Sequence, residues 1–239
     1  MRKLTMTLLK TGATFEGLKP QAGCYEKWFS DVFGDRVNWR IIDAPGGDEL
    51  PPFSEIEALV ISGSPVSVYE RLPWSERCSS WLGEFWTRGT PILGVCYGHQ
   101  LMADALGGEV KTSPNGREMG ATSIDQVGQD PIFDGLPAQF DVWQTHVDVV
   151  QTLPPQARII ASNPHCPVQA MAIGDHCRTV QWHPEMTREI LAYYVRARAE
   201  IIEKERGIGS AQQLEEGLPP FLGSGARIVS NFLTHFCGV

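Results

Sequence analysis

The chain has no surplus of positive charge: 20 Lys and Arg stand against 28 Asp and Glu, a formal net charge of −8. That deficit argues against a general electrostatic affinity for nucleic acid or for an anionic membrane surface. No run of about 18 uninterrupted apolar residues occurs, so no membrane-spanning helix is expected. The start MRKLTMTLL has two basic residues and a short apolar run. It lacks the longer apolar core and the small-residue cleavage site of a secretory leader. The glycines form neither a phosphate-binding loop nor a dinucleotide fingerprint, and no cofactor is expected. Six cysteines, at 24, 78, 96, 166, 177 and 237, include no C-x-x-C pair. Reduced thiols and a cytoplasmic location are the expectation. His165-Cys166 and His176-Cys177 do not assemble a tetrahedral set, because a hairpin turning at 174–175 would hold His165 far from His176. No metal is expected.

What the chain does have is enough apolar material, 42% over 239 residues, for one large core. Repeats, low-complexity tracts and dividing linkers are all missing, so residues 1–239 read as a single domain. Apolar runs at 4–9, 37–42, 58–61 and 91–95, each bounded by Gly, Pro or Asp, predict buried strands. Helical spacing falls between several of them, best at 74–86, where Trp74, Cys78, Trp81, Leu82, Phe85 and Trp86 share a face. Such alternation predicts an α/β fold: a central, mostly parallel sheet with helices on both faces. After Gly107-Gly108 the texture changes to strand-like runs at 121–127, 140–143, 158–162, 168–173 and 177–182, a small antiparallel extension. Two amphipathic helices close the chain. The first is capped by Thr187, carries apolar residues from Ile190 to Ile202 and stops at Gly207; the second carries Ile228, Val229, Phe232, Leu233 and Phe236.

The sharpest chemical signal is PILGVCYGHQ, residues 91–100. An apolar strand runs into Cys96, and 101–106 beyond it reads as a helix. Gly94 and Gly98 flank the cysteine two residues away on each side, the G-x-nucleophile-x-G elbow in which a sharp turn exposes one side chain. A Cβ at either glycine would clash in so tight a turn. The helix N-terminus beyond Cys96 favours an anion there, and the Tyr97 N–H is placed to hold a developing oxyanion. A thiolate needs a base and a group to orient it. The segment QWHPE, residues 181–185, supplies both at a strand end. Residues two apart on an extended chain point the same way, so His183 and Glu185 can hydrogen-bond, with Pro184 stiffening the pair. His99 reads as structural, and the seven tryptophans fall mainly on core stripes.

GVCYGHQ together with QWHPE resembles the class I, or triad, glutamine amidotransferases, in particular the glutaminase domain of GMP synthetases. Similar stretches occur at 62–70 (SGSPVSVYE), 117–120 (REMG) and 142–146 (VWQTH), so the resemblance spans most of 56–190 with motifs in the family's order. It implies Cys96 as nucleophile, His183 as general acid/base and Glu185 as its orienter. It also implies an oxyanion hole from the N–H groups of Ser64 and Tyr97. Substrate contacts are implied at Gly63 and Gln100 and along the Thr145, His146 and Val147 loop, while His146 and Asp148 can equally well hold that loop in shape. Ser64 and Val147 stand where the GMP synthetase pattern has glycine. SGS and THxD are also similar to plant-type γ-glutamyl peptidases.

The function so implied is hydrolysis of the glutamine γ-amide through a cysteinyl thioester, with ammonia passed to a synthase subunit. The competing expectations are a γ-glutamyl peptidase with no acceptor and a non-catalytic homologue that binds a metabolite or partner. An intact Cys, His and Glu set argues against the last. The ATP pyrophosphatase domain that follows the glutaminase in GMP synthetases is not in this sequence, which is why a separate acceptor or none at all is expected.

Overall fold

Short apolar runs with no alternation belong to strands buried on both faces, and that is what the runs at 4–9, 58–61 and 91–95 become here, while the run at 37–42 forms an edge strand with only Val37 and Ile42 buried. The computed structural model describes residues 3–85 and 88–239. The strands β1 (Leu4–Lys10), β2 (Val37–Asp43), β3 (Ala58–Ile61) and β4 (Ile92–Val95) lie parallel in the order β2-β1-β3-β4. β3 shows why its four apolar residues are all needed. Ala58 and Val60 face one core with Trp28 and Phe29, while Leu59 and Ile61 face another with Leu82, Tyr97 and Leu101. Each fully buried Leu, Ile or Val contributes roughly 1.5–3 kcal/mol, so sheet and both helix layers stabilise one another.

The sheet continues past β4 with a second set of strands. These are β6 (Glu118–Gln126), β7 (Gln139–His146), β9 (Ala157–Ser162), β10 (Ala170–Ile173) and β11 (Cys177–Val180). β11 lies parallel to β4, with Val180 opposite Val95, and turns back from β10 at Gly174. The remaining pairings, β10 with β9, β9 with β6 and β6 with β7, are antiparallel. The nine-stranded sheet therefore carries the expected antiparallel extension on its own edge. A separate antiparallel pair joins β5 (Glu109–Thr112) and β8 (Asp148–Thr152). Neither of these was expected, since β5 has one buried residue in four and no apolar run.

Helices α1 (Lys19–Ala22) and α2 (Tyr25–Phe33) precede α3 (Pro73–Phe85) and α4 (Tyr97–Ala105). α2 is additional to the expected helices, although Tyr25, Trp28, Phe29 and Phe33 have helical spacing and are all buried. Trp86, assigned to the 74–86 face, lies outside the described residues. Where one long helix was expected after Thr187 there are two, α5 (Arg188–Ala197) and α6 (Ala199–Arg206), broken at Arg198. The Thr187 hydroxyl does cap α5, accepting from the Ile190 N–H at 3.4 Å. A further helix, α7 (Ser210–Glu216), leads to α8 (Ser224–Asn231), which runs on as a π-helical turn over Phe232–Cys237. No helix among the described residues is long and apolar enough to cross a membrane.

Candidate active site

Three adjacent parallel strands deliver the site. β3 ends in the Ser62–Pro65 loop, β4 ends at Cys96 and β11 runs on into Gln181–Glu185, all at the carboxyl edge where open α/β sheets place their ligands. Cys96 is buried, with its N–H bonded to the Val180 carbonyl at 2.8 Å. Its backbone is at φ 51°, ψ −102°, and apart from Arg71 it is the one non-glycine among the described residues with positive φ. Such a conformation costs on the order of 1–3 kcal/mol and persists only where the surroundings impose it. The elbow glycines are part of that imposition. A Cβ on Gly94 would come within 2.8 Å of the Gly98 carbonyl oxygen, and one on Gly98 within 2.5 Å of the Ile61 oxygen. Cys96 is also the N-cap of α4, so the first N–H groups of that helix open beside its side chain.

His183 is held from both ends. Its N–H donates to the Trp143 carbonyl at 2.9 Å, and its ring Nδ1 donates to Glu185 Oε1 at 2.7 Å. Both side chains are about 95% buried or more. Burial alone would push the imidazolium down, but the Glu185 carboxylate and the Cys96 sulfur outweigh it, and His183 is pushed up to about 10. Nε2 lies toward Cys96, yet no hydrogen bond of regular geometry closes that gap. Sites without substrate are commonly this loose. Gly63 makes the approach possible: a Cβ there would stand 3.1 Å from His183 Cε1 and 3.7 Å from Cys96 Cβ.

The charge on His183 has a measurable sign. An imidazole near 6.5 when unfolded and about 10 when folded stabilises the fold fully below pH 6.5, and that stabilisation is lost as the pH climbs toward 10. Thermal midpoints of the wild-type protein should therefore fall more steeply from pH 6.5 to 10 than those of a His183→Gln variant. Parallel profiles would mean that the ring carries no proton in that window.

The Ser62–Pro65 loop is fixed by hydroxyls. Thr11 Oγ1 donates to the Ser62 and Gly63 carbonyls at 3.0 and 2.9 Å, and Ser62 Oγ donates to the same Gly63 oxygen. In a trans peptide the N–H points opposite to the C=O. Tying the Gly63 oxygen to buried Thr11 thus turns the Ser64 N–H toward the cavity that Ser64 lines. Among the described residues neither that N–H nor the Tyr97 N–H has an acceptor. The Tyr97 side chain plays no part there: it is buried against Trp74, with its hydroxyl 2.5 Å from Ser75 Oγ.

A cavity of about 170 Å³ opens over Cys96 and His183, bounded by Ser64, Thr145, Tyr194 and Arg198 among others. Roughly 300–1,000 Å³ is usual for drug-sized ligands, so this one suits something of amino-acid size. Of the residues read as substrate contacts, Thr145 lines the cavity and Gly63 lies against His183 and Cys96. Gln100 points elsewhere: its amide donates to the Asp148 carbonyl and to Gln181 Oε1, both at 3.0 Å. His146 bridges Glu118 Oε2 at 2.9 Å and the Asp148 carbonyl at 3.1 Å. Val147 gives its carbonyl to the Ser113 N–H. These three hold the β7–β8 turn and do not line the cavity. Asp148 accepts from Ser67 and Tyr69 in the same scaffold. His99 is fully buried against Thr179 and pushed down to about 3, hence neutral. Among the described residues no three His, Cys, Asp or Glu side chains group as a metal would require. Phe15, Tyr25, Tyr194 and Arg198 line the cavity without having been read from the sequence.

Residues 36–193 match the model of the family Glutamine amidotransferase class-I. A GMP synthase [glutamine-hydrolyzing] from Thermomicrobium roseum is 43% identical over 167 residues, 66% of this chain and 30% of the relative. The protein of the same name from Aeropyrum pernix is 39% identical over 168 residues, covering 66% and 32%. The chain thus spans about a third of the length of these curated relatives. Among solved structures, a glutamine amidotransferase from Thermotoga maritima superposes over the whole of both chains with a TM-score of 0.81 at 20% identity. A glutamine amido transferase from Methylobacillus flagellatus gives 0.72 at 20% identity, covering 99% and 96% of the two chains. At such identity these likenesses speak for the fold alone. The match to the family model extends over most of the chain and contains the elbow and the His-x-Glu pair: the chain belongs to the class I glutamine amidotransferase family.

Proposed function

We propose that this chain hydrolyses the γ-amide of glutamine through a γ-glutamyl thioester on Cys96. One observation carries the reading. A thiol on a strained elbow at a helix N-terminus faces a buried His183–Glu185 pair across a cavity of amino-acid size. The Cys96 sulfur attacks the γ-carbonyl carbon, forming a C–S bond, and the carbonyl oxygen takes the negative charge. The Ser64 and Tyr97 N–H groups are the donors for it. As the tetrahedral species collapses the C–N bond breaks, and the His183 imidazolium gives its proton to the departing ammonia. Neutral His183, oriented by Glu185, then takes a proton from water. The oxygen adds to the thioester, the C–S bond breaks and glutamate leaves. The relatives named GMP synthase support a synthase partner as the receiver of the ammonia.

Purified protein given glutamine should release glutamate, and a diazo-ketone analogue of glutamine should label Cys96. Burial pushes the thiols of Cys78, Cys166, Cys177 and Cys237 up to about 11 or 12, so at pH 7 they remain protonated and slow. Mass spectrometry placing the label on one of these four, with Cys96 untouched, would remove the proposal.

A further inference from the structure

Among the described residues six arginines pair with a carboxylate: Arg40, Arg71, Arg117, Arg158, Arg178 and Arg196. Arg198 does not. It stands at the break between α5 and α6, and its guanidinium lies 5.0 Å over the Phe15 ring and 4.8 Å over the Tyr194 ring. Tyr194 is itself fixed by Thr14, hydroxyl to hydroxyl at 2.9 Å. All four residues line the cavity that holds Cys96 and His183. Nη1 is buried, and the side chain makes no hydrogen bond or ion pair among the described residues. Burial lowers the guanidinium below its ordinary value, and nearby Arg117 adds repulsion. The two aromatic faces satisfy the charge in part but accept none of its in-plane N–H donors. A rigid, unpaired fork in the wall of a reaction cavity is shaped for a planar anion.

We propose that Arg198 binds a carboxylate of the substrate, making this a site for γ-glutamyl compounds anchored at the Phe15–Tyr194 wall while Cys96 reaches the γ-carbonyl. This inference rests on the hydrolase reading above. The carboxylate has two sources: the α-carboxylate of the γ-glutamyl unit, or one carried by the amine that leaves. In the second case the bond broken is γ-glutamyl C–N, His183 protonates the departing amine, and water returns the acyl group as glutamate.

The test uses the full chain and four substrates: glutamine, glutamine α-amide, γ-glutamylglycine and γ-glutamylglycinamide. Amidating the anchoring carboxylate should lower wild-type kcat/KM by about 10- to 100-fold, mostly through KM, the worth of a charge-assisted hydrogen bond. Loss between the first two compounds identifies the α-carboxylate, and loss between the last two identifies the amine side. Arg198→Gln should lose the same factor on the acid and little more on its amide. Arg198→Lys should fall between, keeping the charge without the fork. Amidation with no effect on the wild type, or an Arg198→Gln loss equal on acid and amide, overturns the inference and leaves the hydrolase reading standing. Failure of the wild type to turn over any of the four removes the hydrolase reading, and the inference with it. Should Arg198→Gln not fold, the substrate comparison on the wild type decides alone.

Discussion

Exchange of Cys96 for alanine is expected to lower glutamine turnover by about 10,000-fold or more while leaving the fold intact. Without sulfur no thioester forms, and His183 with the oxyanion donors can assist only direct attack by water. The fold survives because the elbow is imposed by what surrounds it: the Cys96 N–H on Val180, the Gly98 N–H on Ser62, and the two closed glycine positions. Alanine keeps a Cβ at φ 51° and so retains the strain. Glycine at the same place would shed it, so Cys96→Gly should unfold at a temperature at or above that of Cys96→Ala, by the equivalent of about 1 kcal/mol. Both variants would be inactive, one more stable than the other, which separates the cost of the conformation from the chemistry it serves. A Cys96→Ala protein retaining a tenth of the wild-type rate would move the reaction to another group.

The strands of this fold could be read from the sequence because β1, β3 and β4 are buried on both faces, which leaves continuous apolar runs. β5 could not, since its register against β8 rests on backbone bonds beneath mostly exposed side chains. The break at Arg198 has no Gly or Pro to announce it; it falls where the guanidinium packs against the adjoining Phe15 and Tyr194 rings. The same logic divides the site. Cys96, His183 and Glu185 sit in two short segments, each of which carries its pattern within a few consecutive residues. Phe15, Tyr25, Tyr194 and Arg198 come from the loop after β1, from α2 and from the end of α5, and only the topology collects them. Gln100 and His146 carry polar groups in the right neighbourhood, but both are turned inward, where each bonds the Asp148 carbonyl. A motif therefore marks the proposed reacting groups far better than it marks the walls of the cavity around them.

Gly98→Ala should destabilise the protein by about 3 kcal/mol or more and cost roughly 100-fold in turnover. The sign is what makes this informative. Gly98 is the second residue of α4, and in an unconstrained helix alanine would be better than glycine by about 1 kcal/mol. Here the added Cβ would lie 2.5 Å from the Ile61 oxygen and 2.8 Å from the Ile61 Cβ, neither of which belongs to a flexible side-chain end. Relief requires α4 to lift away from β3. The helix cannot lift without stretching the 3.1 Å bond from the Gly98 N–H to the Ser62 carbonyl, which ties it to the Ser62–Pro65 loop. Tyr97 would move with the helix and Ser64 would stay with the strand, so the two N–H groups proposed to hold the oxyanion would separate. Gly116→Ala supplies the contrast. Its φ of +75° is unfavourable to alanine, but nothing lies within 4 Å of the added Cβ, and the loss there should stay near 1 kcal/mol with turnover unchanged. Thermal unfolding and glutamate release on the two variants make the comparison. Equal midpoints, or a Gly98→Ala protein more stable than the wild type, would mean that the strand–helix crossing beneath Cys96 is looser than these distances require.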